Sequence, residues 1–284
     1  MKVLRSTLRA LTSRVPFKGR YRLADKAGRW LAGDLHEAIN INGVHVELDH
    51  NVLTHRMMYY GLYEENVVNF LKRDLRPGDV VFDPGANIGY FAAVCVGLVG
   101  ERGHVYSFEP SNAAHAHIVK NNPPATGGTT PLPNWTLEHS ALTDHSGTMT
   151  FYDTPRVMTR GFACLEGTYE PKDRIPHQVE VVSLDDYCGR RNIGSIAFLK
   201  LDIEGSELKA LKGASGMLAK RAIRTILVET TLLPHTRDLT QEIDDLLRKA
   251  GYRSFRALRN GGLVPIDVMA QKELREDILW RLSD

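Results

Sequence analysis

Asp79-Val80-Val81-Phe82-Asp83-Pro84-Gly85-Ala86-Asn87-Ile88-Gly89-Tyr90 is the stretch that decides how this chain folds. Asp79 to Asp83 is short, apolar and β-branched, which suits a strand buried on both faces. Gly85, Asn87 and Gly89 follow as a tight turn, and Ile88 to Leu98 reads as a helix. Glycine lets a backbone approach a ligand closely, and Asn enters the left-handed region more readily than most residues. The helix N-terminus beyond the turn favours polar or anionic groups.

Downstream, Gly103 to Glu109 reads as a second strand and Asn112 to Asn121 as a second helix. Glu109 stands 26 residues after Asp83, at a strand end, where an acid can accept hydrogen bonds from ribose hydroxyls. A dinucleotide site has the spacing Gly-x-Gly-x-x-Gly. Here the spacing is Gly-x-Asn-x-Gly, with a carboxylate two residues before the first glycine. That acid would repel a pyrophosphate. It suits a cationic ligand, such as the ammonium and sulfonium of S-adenosylmethionine, and disfavours a nicotinamide oxidoreductase.

A second string, Ile196-Ala-Phe-Leu-Lys-Leu-Asp-Ile-Glu-Gly-Ser-Glu207, delivers Asp202 at the carboxyl end of another buried strand. Ligands bind at that end of open α/β sheets. Asp202, Glu204 and Glu207 cluster at the start of the helix expected over Ser206–Leu218. Dipole complementarity needs only one or two acids there, so Glu207 is read as structural and Asp202 as functional. Further strands are expected around Trp135–Glu138, Met149–Tyr152, Val179–Val182 and Thr225–Val228, and a helix over Gln241–Ala250. Tyr252–Leu258 and Leu263–Val268 read as two adjacent strands. This alternation predicts an α/β layer fold with a mostly parallel sheet.

Upstream, residues 1–75 are expected to form a helix-hairpin-helix cap, and residues 76–284 the main domain. Leu4, Leu8, Leu11 and Val15 share a helical face among Lys2, Arg5, Arg9 and Arg14. One reading is an accessory helix that packs its leucines on the domain; the other is a weak peripheral contact with anionic lipid or a partner through residues 1–20. Asn42-Gly43 between alternating apolar runs predicts a hairpin, and 54–75 a helix. The stretch 154–177 lacks periodicity and reads as a substrate-side loop. Asn122 to Pro133, rich in Pro, Gly and Thr, reads as a surface loop.

Phe-Asp-Pro-Gly-Ala-Asn-Ile-Gly-Tyr, Ser-Phe-Glu-Pro, Ser-Leu-Asp-Asp-Tyr and Phe-Leu-Lys-Leu-Asp-Ile-Glu-Gly-Ser-Glu, in this order, resemble the FkbM-type methyltransferases. The similarity covers about Tyr59 to Glu229 and includes Tyr-Gly-Leu-Tyr-Glu64. It implies a Rossmann-like class I methyltransferase fold, a seven-stranded sheet with helices on both faces, and S-adenosylmethionine as cofactor. It further implies that Asp83, Gly85, Asn87, Ile88 and Gly89 line the methionine end, together with Glu64. Glu109 would hold the ribose, Ser140, Ala141 and Leu142 would flank the adenine, and Asp202 would lie near the donor methyl and the acceptor. One departure is Pro84, where a β-branched residue is usual. Known members methylate hydroxyls on sugars and secondary metabolites, so O-methylation of such an acceptor is expected, with N-methylation of a small molecule or peptide as the alternative. A non-catalytic nucleotide-binding module is a further rival. Asp202, Glu204 and His235 are the candidate bases.

Composition sets the remaining limits. The 284 residues include 36 Lys and Arg against 34 Asp and Glu, a formal charge of +2. That balance argues against a strong whole-molecule attraction to nucleic acid. Three cysteines without a Cys-x-x-Cys pair argue against a disulfide framework or zinc site, so a cytoplasmic setting is expected. No apolar run approaches the roughly 18–20 residues that span a bilayer. Asp202 and Glu229 both end strands, but a third ligand is not evident, so no metal is expected. The oligomeric state stays open, a homodimer included.

Overall fold

The computed structural model describes residues 2–125, 128–153, 164–165 and 174–283. The loop expected over 154–177 therefore lies largely outside the described residues.

The N-terminal part contains α1 (Lys2–Arg14), α2 (Arg20–Ala32), the hairpin β1 (His36–Ile41) and β2 (Val44–Asp49), then α3 (Leu53–Tyr59) and α4 (Glu65–Asp74). Asn42 and Gly43 turn the hairpin with φ of 52° and 92°, as a two-residue turn between twisted strands requires. α2 was not foreseen. The single helix expected over 54–75 is two, because the chain leaves helical geometry at Gly61 and Glu64, whose φ values are 69° and 43°.

The remainder alternates as β3 (Val80–Pro84), α5 (Tyr90–Val99), β4 (His104–Phe108), α6 (Asn112–Asn121), β5 (Trp135–Glu138), β6 (Ser140–Thr143), β7 (Gly147–Asp153), β8 (Cys164–Leu165), β9 (Ile175–Ser183) and α7 (Leu184–Arg191). Then come β10 (Ile196–Leu201), α8 (Glu207–Lys212), α9 (Ser215–Ala219), β11 (Ile223–Leu232), α10 (Arg237–Lys249), β12 (Tyr252–Ala257), β13 (Leu263–Pro265) and β14 (Leu274–Leu282).

The main sheet has the order β13-β12-β14-β11-β10-β3-β4-β5. From β11 to β5 every pairing is parallel; β14 inserts antiparallel between β11 and β12, and β13 pairs antiparallel with β12. Among the described residues the sheet thus has eight strands where seven were expected, because β13 adds a short edge. β14 is the largest departure from the sequence reading. Its first half, Leu274-Arg275-Glu276-Asp277, is polar, and no turn signal brackets it. A second sheet has the order β6-β9-β7-β8.

Strand order reverses at β3, which has β4 on one side and β10 on the other. Such a switch point opens a crevice at the carboxyl ends of the strands. One apolar cluster joins α1 through α4 and the hairpin to α5 and to β3; a second joins α7 to α10 with the other face of the sheet. The hairpin tip is seated on α5: Asn42 Nδ2 donates to the Ala93 carbonyl at 2.9 Å. A Cβ on Gly97 would stand 2.3 Å from the same amide, so the close approach needs glycine there. Asn122 fastens the other flank. Its Oδ1 accepts from His45 N at 2.7 Å and its Nδ2 donates to His45 O at 2.9 Å.

Candidate active site

The end of β3 and the end of β10 lie side by side, with Phe198 opposite Val81 and Leu199 opposite Phe82. Gly85 follows β3 with φ of 77°, and a Cβ there would sit 2.6 Å from the Asp202 carbonyl oxygen. Only glycine permits this conformation and approach together. The turn is clamped to β4. The Gly85 and Ala86 amides donate to Phe108 O at 2.8 and 3.0 Å. Asn87 N donates to Glu109 Oε2 at 2.6 Å, and Ser111 N donates to Glu109 Oε1 at 2.9 Å. Asn87 and Gly89 take left-handed φ values of 52° and 80°, and α5 starts directly after them.

Around this turn lies an excess of carboxylates. Asp83 is fully buried, and among the described residues neither of its oxygens has a hydrogen-bond partner in good geometry. Burial, then the neighbouring Glu64 and Asp202, push its pKa up to about 6, against the pull of Lys200. Glu64 Oε2 is likewise buried and unpartnered. Lys200 is the buried cation among the described residues of the group: its Nζ sits 2.6 Å from Asp202 Oδ2 and 5.4 Å from the Phe91 ring centre, while Arg275 also lines the cavity and Arg174 acts on Glu204. Lys200 holds the Asp202 carboxyl below its ordinary range. Burial raises the others: Glu204 to about 7, Asp277 to about 7 and Glu229 to about 8, the last also through Asp202. Glu109 rises to about 7 because it is buried, although two backbone amides oppose the shift.

One cavity of about 1230 Å³ brings Glu64, Gly85, Asn87, Glu109, Ala141, Asp202, Glu204 and His235 together. Asp83 is fully buried and does not line it, whereas the next residue, Pro84, does. Ile88 is packed in the apolar core at 2% exposure, and Gly89 backs onto Ile118 and Trp135. Ser140 lines a separate cavity of about 440 Å³ with Glu138, Tyr187 and Arg191. Glu207 Oε1 accepts from the amides of Ile203 and Gly205 at 3.0 and 3.2 Å, closing the turn as a structural residue.

Lys200 and Asp277 were not read from the sequence. Lys200 had a signal: a charge inside an apolar strand, two residues before Asp202 and therefore on the same face. Asp277 had none, because its strand was not recognised. In the sequence Glu229 reads only as a strand-end acid that could pair with Asp202 at a metal. Among the described residues no group of three or more His, Cys, Asp or Glu is placed to hold a metal ion.

The family description "Methyltransferase FkbM domain" matches residues 83–254, from the acid of the turn to the middle of β12. The chain belongs to the FkbM methyltransferase family. It is 24% identical over 182 residues to the hexuronic acid methyltransferase AglP of Haloferax volcanii, covering 64% of this chain and 68% of that protein. It is 29% identical over 207 residues to the 31-O-demethyl-FK506 methyltransferase FkbM of Streptomyces tacrolimicus, covering 61% and 68%. Among solved structures, methyltransferase FkbM from Methylobacillus flagellatus KT aligns with a TM-score of 0.43 at 17% identity. That alignment covers 92% of this chain but 59% of the other, so the chain spans less than two thirds of its length. Membership of a methyltransferase family leaves the nicotinamide reading without support.

Proposed function

We propose that the chain methylates a hydroxyl oxygen on a sugar, glycan or secondary metabolite. S-adenosylmethionine is the methyl donor, and its sulfonium supplies the electrophilic methyl. The observation that carries the donor in this reading is the group of buried carboxyls, Asp83, Glu64 and Asp202, that share one buried cation among the described residues, Lys200, beside the Gly85 turn. Buried negative charge without enough opposite charge is costly, and a cationic ligand would offset it. Gly85 lines the same cavity, and its close approach to the Asp202 carbonyl holds the ends of β3 and β10 together there.

The acceptor side of the cavity supports a hydroxylated substrate. Thr230, Thr231, Thr236 and Thr240 line it together with His235. The hydroxyls of Thr230, Thr236 and Thr240 donate to backbone carbonyls, which leaves their oxygens to accept from a substrate hydroxyl. The names of two relatives, a hexuronic acid methyltransferase and a 31-O-demethyl-FK506 methyltransferase, point the same way.

In this reading Asp202, kept ionised by Lys200, holds negative charge beside the reacting centre. A carboxyl held so low is a poor proton acceptor. Glu204, Glu229 and His235 stand in the same cavity, and the raised pKa of the two glutamates brings them near neutral pH, where a general base works best. Alignment of acceptor and methyl contributes up to roughly 7–11 kcal/mol of the barrier.

Calorimetric titration with S-adenosylmethionine and with NAD tests the donor; binding of NAD alone would refute the reading. Transfer of a labelled methyl to a panel of uronic acids, neutral sugars and polyols tests the acceptor. The excess of carboxylates would also attract an amine, which favours N-methylation as the second reading. An amine must lose its proton before it attacks, so methylation of amines alone, with a rate set by the pKa of the acceptor, would replace the first reading with the second.

A further inference from the structure

α1 and α2 carry a surface unlike the rest of the molecule. In α1, Leu4, Leu8 and Leu11 share a face, yet only Leu8 is buried; Arg5 and Thr12 occupy the other inward positions. The inward face is thus rotated from the apolar one, and Leu4 and Leu11 stay 55% and 42% exposed. In α2, Arg20, Ala24 and Gly28 face inward. Leu23 and Trp30 do not, and Trp30 is 74% exposed. Of the eleven exposed large hydrophobic residues among those described, seven lie between Val3 and Trp30.

Cations border this apolar surface. Lys2, Arg14, Lys18, Arg22, Lys26 and Arg29 are exposed. The single acid of residues 2–32, Asp25, is engaged by Arg56 of α3. Residues 2–32 hold nine bases and one acid, a formal charge of +8, so the remainder carries −6.

We propose that this helix pair docks on an anionic lipid surface. Leu4, Leu11 and Trp30 would enter the boundary between headgroups and acyl chains, and the six exposed cations would meet the lipid phosphates. Exposed leucines and an indole offer nothing to a nucleic-acid backbone, whereas tryptophan favours the membrane interface. A second copy of the same face would bring two charges of +8 together. Contact is peripheral: among the described residues no helix is long and apolar enough to cross a membrane.

Trp30 is its own reporter, because Trp135 and Trp280 are 2% and 1% exposed. The full chain is titrated with vesicles of phosphatidylcholine alone, or of phosphatidylcholine and phosphatidylglycerol at roughly two to one. The expected result is a blue shift of emission and co-sedimentation with the mixed vesicles only, both weakened by salt. Arg22→Glu/Lys26→Glu/Arg29→Glu, and separately Leu4→Ser/Trp30→Ser followed by sedimentation, should each weaken partitioning at least about tenfold. These side chains are exposed, so circular dichroism and donor binding should be unchanged; Lys26→Gln/Arg29→Gln is the milder pair should a variant unfold. Equal binding to neutral vesicles, no partitioning, or a concentration-dependent dimer that buries Trp30 without lipid would each overturn the proposal.

Discussion

Gly85 concentrates the residue-scale constraint, because β3 and β10 meet across it. Gly85→Ala places a methyl against the Asp202 carbonyl and holds a non-glycine residue at φ of 77°. Strain of this kind costs about 1–3 kcal/mol, so melting should fall by several degrees and calorimetry should show lost donor binding. In the sequence Glu109 is a strand-end acid placed to accept from ribose hydroxyls. The structure adds a second role: Glu109 is 5% exposed and ties the Asn87 and Ser111 amides together. Glu109→Ala should therefore lower the melting temperature as well as donor affinity, at about 1.5–3 kcal/mol for each charge-assisted bond lost. Unchanged melting would contradict that clamp. Asp202→Asn removes the negative charge that faces buried Lys200 and the reacting centre. Turnover should drop by roughly 10²–10³-fold, as when an electrostatic stabiliser of the transition state is lost. If Asp202 only shaped the turn before α8, Asn would serve nearly as well and kinetics on the true acceptor would stay near normal.

Among the elements, the hairpin shows how a local signal becomes a tertiary contact. Asn42-Gly43 sets the turn, but the Asn42 side chain then leaves the hairpin to meet Ala93 on α5 above Gly97. Gly97→Val should force that amide off its carbonyl, an overpacking cost of about 1–3 kcal/mol. At roughly 2–4 °C per kcal/mol for a chain of this size class, a thermal melt would show it; an unchanged melt would mean that the hairpin tip yields freely. β14 carries the opposite lesson. It contributes Asp277 to the carboxylate group and Trp280 to the core. Its polar start, however, gave no strand periodicity.

For the whole molecule, the excess of buried acid links stability to pH. Carboxyls raised in the folded state favour it while protonated. Their contribution is full below the ordinary carboxylate range. It is lost as pH rises through about 6 for Asp83, about 7 for Glu109, Glu204 and Asp277, and about 8 for Glu229. Asp202 is lowered and Lys200 raised, so neither changes charge in that window. Burial lowers His50, His55, His104, His115, His117 and His139, and these add stability as pH rises towards the ordinary imidazole range. The ligand-free protein should therefore lose melting temperature mainly from about pH 6.5 to about pH 8, and the stabilisation given by S-adenosylmethionine should grow over the same range. A flat profile in differential scanning fluorimetry would show that the cluster is already neutralised.

The sequence by itself determined the β3 turn, Glu109, Asp202, the α/β alternation and the hairpin, because each rests on short-range chemistry: glycine and asparagine at special φ, an acid at a strand end, an Asn-Gly turn. Tertiary structure alone decided which acids share one cavity. Ser140 and Ala141 are neighbours in sequence, yet one lines the main cavity's neighbour and the other the main cavity itself. Asp277 reaches the group because β14 inserts antiparallel beside β11, with Glu229 opposite Asp277. Lys200 gains its partners, and the leucines of α1 lose theirs, through the packing of elements far apart in the chain. Burial and strand order are long-range properties that no local spacing records, and they set the charge of this site.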